Sequence, residues 1–324
     1  MAKEDLTKIE FTPEDYMKAA ETYKEDLLMV PVLSCMETLK YMNPIPGVHG
    51  KLHVGSASAK AQFAPFDAYR IEKEKVSVIY RTLETFLGNV QQEFVPNDYI
   101  YTLLGKAAAF MGDGQKQAPS AKLVLAAVAK ALGESLHDCL FTAKRNDAGT
   151  TTAELFNGWK TIAEAEIAAG KIADSKGNYI EIDAFDGTNA DQIAKEVERS
   201  CHPVLRRTEK FLYCSPEFAD AYNDAYLVSH PSVPYNKQYE QAYVEGSNNK
   251  TTLVPLSCLA GSDMFFVSNK NNMLFGYDNI SDDTKLEVLR LKSAFALTFA
   301  GAMFFGTEFY SIDERMLKVV KVKS

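Results

Sequence analysis

Residues 47 to 80 constrain this chain more than any other stretch. From Gly47 to Asp67 the sequence is small and polar, with Gly50, Gly55, Ser56, Ala57, Ser58 and Ala59, and it has too few large apolar side chains to supply a core of its own. It reads as a loop. Tyr69 to Tyr80 then becomes partly alternating and β-prone, so the two segments can pair as a long two-stranded projection. An isolated pair of strands has no second layer against which to bury a face. The expectation is that the projection leans on a neighbouring subunit and that Gly47 to Tyr80 is ordered only by that neighbour.

The remainder of the 324 residues can carry a core. A hydrophobic share of 46% with 12 prolines and 18 glycines excludes disorder and fibre, and at about 150 residues per domain the length suggests roughly two domains. The 35 basic and 43 acidic side chains give a net charge of −8, which argues against a free-standing nucleic-acid binder held by phosphate contacts. The apolar run from Ala294 to Phe305 falls short of the roughly 20 residues that span a bilayer, so no membrane partner is expected. Lys3, Glu4, Asp5, Lys8 and Glu10 precede no apolar h-region, which reads as a chain made in the cytoplasm.

The middle of the chain shows helix signals. Ala121 to Lys144 is rich in alanine and leucine, with Leu125, Val128, Leu132, Leu136, Cys139 and Leu140 on three-and-four spacings, and implies a helix about 35 Å long. A second helix is expected over Thr152 to Ala169, closed by Gly170, and a third over Ala190 to Ser200, fed by the turn Asp183 to Asn189. Lys210 to Cys214 reads as a strand running into Ser215-Pro216-Glu217, a cap with proline at the first helical position, then a helix from Phe218 to Tyr226. Shorter helices are expected after Thr12-Pro13 and after Pro96-Asn97-Asp98, and Asn43 to Gly47 is expected to break any regular element.

The end of the chain is β-rich. Strands are expected at Leu253 to Leu256, Asp263 to Ser268, Met273 to Tyr277, Lys285 to Lys292, Ala294 to Phe305 and Met316 to Val322, with Asn269 to Asn272 as a tight hairpin turn.

Signatures of chemistry are sparse. The sequence holds no phosphate-binding or dinucleotide loop, no His-Glu-x-x-His and no Gly-x-Ser-x-Gly, and no catalytic residue, cofactor or metal is assigned. Cys35, Cys139, Cys201, Cys214 and Cys258 are an odd set without paired short spacings, which fits buried reduced thiols. His49 and His53 read as solvated loop residues, and His137 as a packing residue. A soluble enzyme using Asp183, Asp186 and the tyrosine-rich stretch with Tyr235, Tyr239 and Tyr243 remains an alternative of a different class.

The order of these parts resembles the major capsid protein of tailed bacteriophages, the HK97-like fold, an α+β architecture. The resemblance rests on the low-core loop, the long helix, the segment Lys210-Phe211-Leu212-Tyr213-Cys214-Ser215-Pro216-Glu217-Phe218, and the closing strands Leu286 to Lys292 and Phe295 to Gly306. It implies an N-terminal arm at 1–46, an E-loop at 47–80, a peripheral domain at 81–185 with its spine helix at 121–144, an axial domain at 186–280 and return strands at 281–324. It also implies self-assembly through hexamers and pentamers into an icosahedral shell around double-stranded DNA held without sequence specificity. Virion location, and a separate scaffolding protein, portal and maturation protease as partners, follow from the same likeness. Lys51, Lys60, Arg70, Lys73 and Glu74 are the interface candidates. Lys51 and Lys60 would offer the amine of a family-type cross-link, but Ser281-Asp282-Asp283-Thr284-Lys285 has no asparagine at its tip, which argues against one. An encapsulin-like compartment shares the fold and stays open.

Overall fold

The structure, a computed structural model, describes residues 30–32, 35–58, 77–94, 118–230, 242–278, 285–290 and 297–323. Within them the chain runs α1 (Met36–Leu39), β1 (Asn43–Pro46), β2 (Lys51–Ser58), β3 (Ser77–Glu84), β4 (Phe86–Phe94), α2 (Ala118–Cys139), α3 (Trp159–Ala168) and β5 (Tyr179–Ile182). It continues through α4 (Ala190–Ser200), α5 (Pro203–Arg207), β6 (Lys210–Cys214), α6 (Pro216–Ser229), β7 (Thr251–Pro255), β8 (Met264–Ser268), β9 (Met273–Asp278), β10 (Lys285–Arg290), β11 (Leu297–Phe309) and β12 (Leu317–Val322). The helices under Thr12 and after Pro96 lie outside the described residues, as do Tyr235 and Tyr239.

Two five-stranded sheets and one two-stranded ribbon organise the α+β fold. The first sheet runs β1-β9-β11-β10, with β4 on the other side of β11; the second runs β5-β12-β8-β6-β7. Alternation splits the second sheet between two cores. Met264, Phe266, Leu317, Val319 and Tyr213 face a core shared with α2, α3 and the first sheet, while Phe265, Val267, Val320, Leu212 and Cys214 face α4 and α6. A strand covered on both faces needs a continuous apolar run, and Met264-Phe265-Phe266-Val267 supplies one, with every residue of β8 buried.

The strand-to-helix join at Ser215 forms as its residues dictate. Ser215 Oγ accepts from the Phe218 amide at 3.3 Å, Pro216 takes the first turn, and the helix extends to Ser229. Asp186 shapes the next-best local signal: its Oδ1 accepts from the Thr188 amide at 2.8 Å and the Asn189 amide at 3.1 Å, just before α4.

Four expectations need correction. The long helix spans Ala118–Cys139 rather than 121–144, because beyond it the Phe141 and Ala143 carbonyls accept from the Lys160 and Gly158 amides. The helix expected over 152–169 is broken: a 3₁₀ turn at Thr152–Glu154 is followed by α3 only from Trp159. Gly158 stands at the break, where a Cβ would overlap the Phe141 carbonyl, so the close approach excludes any other residue. Asn43–Pro46, expected to be irregular, is the edge strand β1, parallel to β9; two prolines are tolerated there because an edge strand need not donate on its open side.

The fourth correction concerns Asn269 to Asn272. β8 and β9 do not pair; they belong to different sheets, joined through a 3₁₀ turn at Lys270–Asn272. Asn272 is fully buried at this crossing. Its Nδ2 donates to Ser268 Oγ at 2.9 Å, its Oδ1 accepts from the Ser311 amide at 2.8 Å, and its carbonyl accepts from the Tyr310 amide at 2.9 Å. One side chain thus ties together the exits of β8 and β11.

Candidate assembly surface

The ribbon of β2 and β3 forms as the low-core loop implied, but with the return strand at Ser77–Glu84, so the hairpin reaches past Tyr80. Its register sorts the side chains into two faces. Lys51 and Glu84, His53 and Thr82, and Gly55 and Tyr80 pair on one face, with Val78 on the same side; Leu52 and Leu83, Val54 and Arg81, and Ser56 and Ile79 pair on the other.

The second face rests on the same subunit at its base. Leu83 is fully buried with Val48 and Leu274, and Ile45, Leu52, Val54 and Tyr310 pack around them. Thr85, the single residue between β3 and β4, donates its hydroxyl to the Val48 carbonyl at 2.8 Å and exchanges bonds with Gly50. Tyr310 donates to the Gly55 carbonyl at 2.6 Å. The expectation that the whole projection depends on a neighbour is therefore wrong for its base.

Farther out the ribbon turns apolar on both faces. Val78, Ile79 and Tyr80 are 45%, 52% and 72% exposed, and being consecutive they cannot share one face. A stretch of large apolar side chains on a two-stranded ribbon, open on both sides, is the kind of surface that marks a contact site. The other exposed large apolar side chains among the described residues are Leu87 in β4, Val204 in α5, Leu227 and Val228 near the end of α6 and Tyr243 beside β7.

Of the interface candidates, Lys51 lies in β2 and pairs with Glu84 at 2.6 Å across the outer face. Lys60, Arg70, Lys73 and Glu74 lie outside the described residues. The residues that sequence reasoning missed form a charge cluster at the hairpin base. Arg81 contacts Glu308 at 2.7 Å and Glu166 at 2.9 Å, and Lys171 reaches the other oxygen of Glu166 at 3.1 Å. The one available signal was Glu308, a lone acid in the apolar run of β11, since a buried carboxylate needs a partner.

The two carboxylates respond to burial differently. Burial raises both, but for Glu166 the cations Lys171 and Arg81 outweigh it and hold the group below the ordinary glutamate value of 4.5. For Glu308 burial prevails over Arg81 and the group stays above that value. Glu166 thus contributes stability that is present above its unfolded value and lost as pH falls through its folded one, whereas protonating Glu308 in acid relieves a cost. Glu166→Gln is expected to lose less stability than the parent between about pH 6 and about pH 3, read as urea midpoints at each pH. Equal losses would contradict this assignment.

Among the described residues, those of the enzyme alternative do not converge. Asp183 pairs with Lys323 at 2.7 Å, Asp186 holds the turn before α4, and Tyr243 makes a bridge to Thr252. The five cysteines are buried and free; burial pushes Cys35, Cys201 and Cys258 up to about 12 and Cys139 to about 11, and Cys214 higher still. His137 Nε2 lies 2.7 Å from Thr38 Oγ1 and His53 Nδ1 2.9 Å from Thr82 Oγ1. Among the described residues no group of three or more metal-ligating side chains is assembled, and no helix is long and apolar enough to cross a membrane. A cavity of about 420 Å³ lies between α2 and the first sheet, lined by Leu132, Leu136, Phe299 and Met303. Glu154 on its rim is held below its ordinary range by hydrogen bonds from Asn146 and Thr151.

No protein-family model matches the chain, and no curated protein matches it in sequence. Solved structures do match. A chain of the satellite phage P4 procapsid that includes the size determination (Sid) protein aligns with a TM-score of 0.59 at 11% identity, over 90% of this chain and 91% of that one. A chain from the capsid of an empty GTA particle aligns with a TM-score of 0.54 at 10% identity, over 88% and 89%. A chain of Gordonia phage Cozz aligns with a TM-score of 0.51 at 12% identity, over 90% and 87%. At these identities the likeness is one of fold, and it extends over nearly the whole chain.

Proposed function

We propose that this chain, which has the HK97-like fold of phage capsid proteins, is a major capsid protein whose copies assemble into a closed shell. The observation that carries the reading is the hairpin. Its base is built into the subunit, and its outer half presents Val78, Ile79 and Tyr80 to whatever lies alongside. A shell of identical copies needs repeated contacts between unlike patches, and a projecting ribbon enlarges the buried area without enlarging the core of the subunit.

In this reading residues 1–46 are the arm, the E-loop begins at 47 and runs through β3, and α2 is the spine. The second sheet with α4 and α6 belongs to the axial part, and β10 to β12 are the return strands. The role is structural rather than catalytic. The shell holds double-stranded DNA without sequence specificity, which a net charge of −8 permits because the wall need not grip phosphate tightly. A scaffolding protein, a portal and a maturation protease complete the set of partners, and the protein is made in the bacterial cytoplasm and ends in the virion.

Negative-stain images and sedimentation of the purified protein test this. Capsomer-sized rings or closed shells are expected. A steady monomer at high concentration would contradict it, and shells filled with a cargo protein instead of DNA when isolated from the native cell would favour the encapsulin-like alternative.

A further inference from the structure

We infer that Arg81 latches the β2–β3 hairpin to its own subunit, so that the direction of the projection is set within the chain before a second copy is present. The backbone alone does not fix that direction. On one side the ribbon joins the body through Gly47 and Gly50, both left-handed at φ 73° and 81°, with open space where a side chain would stand. On the other side only Thr85 separates β3 from β4, although the two strands belong to different sheets. Gly47 and Gly50 are natural pivots, whereas Thr85 is buried and hydrogen-bonded to Val48 and Gly50.

Arg81 bridges the ribbon to the body across these pivots. It sits in β3, while its acceptors belong to two rigid elements: Glu166 to α3 and Glu308 to β11. Nε and Nη2 both donate to Glu308 Oε1, at 3.2 and 2.7 Å, and Nη1 lies 2.9 Å from Glu166 Oε1. The socket is held in place without Arg81. The Phe309 amide donates to Glu308 Oε1 at 2.8 Å, Trp159 Nε1 donates to the Glu308 carbonyl at 3.2 Å, and Lys171 holds Glu166 at 3.1 Å. The three side chains of the bridge are each about one-tenth to one-seventh exposed, so water competes weakly for them. A planar guanidinium gripping acceptors on two elements defines an orientation more narrowly than the non-directional apolar packing of Leu83 with Val48 and Leu274.

Hydrogen exchange on the unassembled subunit tests this and reads the same whether or not shells form. The double variant Arg81→Met with Glu308→Met removes opposite charges together and leaves Glu166 paired with Lys171, so the body stays folded. Amides of β2 and β3 are expected to exchange about tenfold faster in it, with the second sheet unchanged. Arg81→Lys keeps the charge but reaches one carboxylate, and is expected to restore protection in part. Unchanged exchange in the hairpin would overturn the inference, because Leu83 and its neighbours would then suffice. Acceleration spread evenly over both sheets would overturn it too, because Arg81 would then be an ordinary stabilising residue.

Discussion

Replacing Val78 with aspartate and Tyr80 with glutamate is expected to leave a folded subunit that no longer forms shells. Tyr80 is largely exposed and Val78 nearly half exposed in the single chain, so each substitution should alter its stability by about 0.5 kcal/mol. In the assembly the same positions would be covered. Losing the burial of two large apolar side chains removes about 3 to 6 kcal/mol from each contact, and a buried unpaired carboxylate adds to the loss. At 1.4 kcal/mol per tenfold, every contact in the lattice weakens by two orders of magnitude or more. Circular dichroism and a urea transition matching the parent, with sedimentation confined to small species, is the expected pair of results. Parent-like shells in normal yield would show that this part of the hairpin is not an assembly contact.

Gly306→Val is expected to damage the subunit severely. Gly306 in β11 lies opposite Gly276 in β9, and the hairpin base crosses over this pair. A Cβ at Gly306 would overlap the Glu84 carbonyl, which is backbone and cannot swing aside. At Gly276 a Cβ would come 2.9 Å from the tips of Leu83 and Thr85, which can move. Gly306→Val should therefore cost about 3 kcal/mol or more, and Gly276→Ala clearly less, in denaturant unfolding. A valine variant within about 1 kcal/mol of the parent would mean that the ribbon does not press on β11 as described.

The parts legible in the sequence are those whose signals are local. Lys210 to Cys214 followed by Ser215-Pro216 announced strand, cap and helix because the cap hydrogen bond spans three residues. Asp186 and Asn189 announced the start of α4 for the same reason. What could not be read is pairing at long range. Asn269 to Asn272 looks like a hairpin turn to any local rule, yet β8 finds β6 and β12 while β9 finds β1 and β11, because each apolar strand gains more from a central place in its own sheet than from its chain neighbour. The helix break at Gly158 depends on the backbone of Phe141, 17 residues earlier, and nothing in the adjacent residues shows it.

The candidate assembly surface is half legible in the sequence. A segment without its own core pointed to a projection and a neighbour, and that logic applies to Val78, Ile79 and Tyr80. It failed for the base, where Leu83 and Arg81 use partners more than 190 positions away, Leu274 and Glu308. An arginine in an alternating strand has the pattern of a solvated residue until its two carboxylates are placed beside it.

Cryo-electron microscopy of the purified particles tests the central claim most directly. The expected result is a closed shell of repeated copies of this chain in which residues 78–80 of each hairpin are covered by an adjacent copy. Discrete unassembled subunits under all conditions, or a shell in which those residues face only solvent, would contradict it.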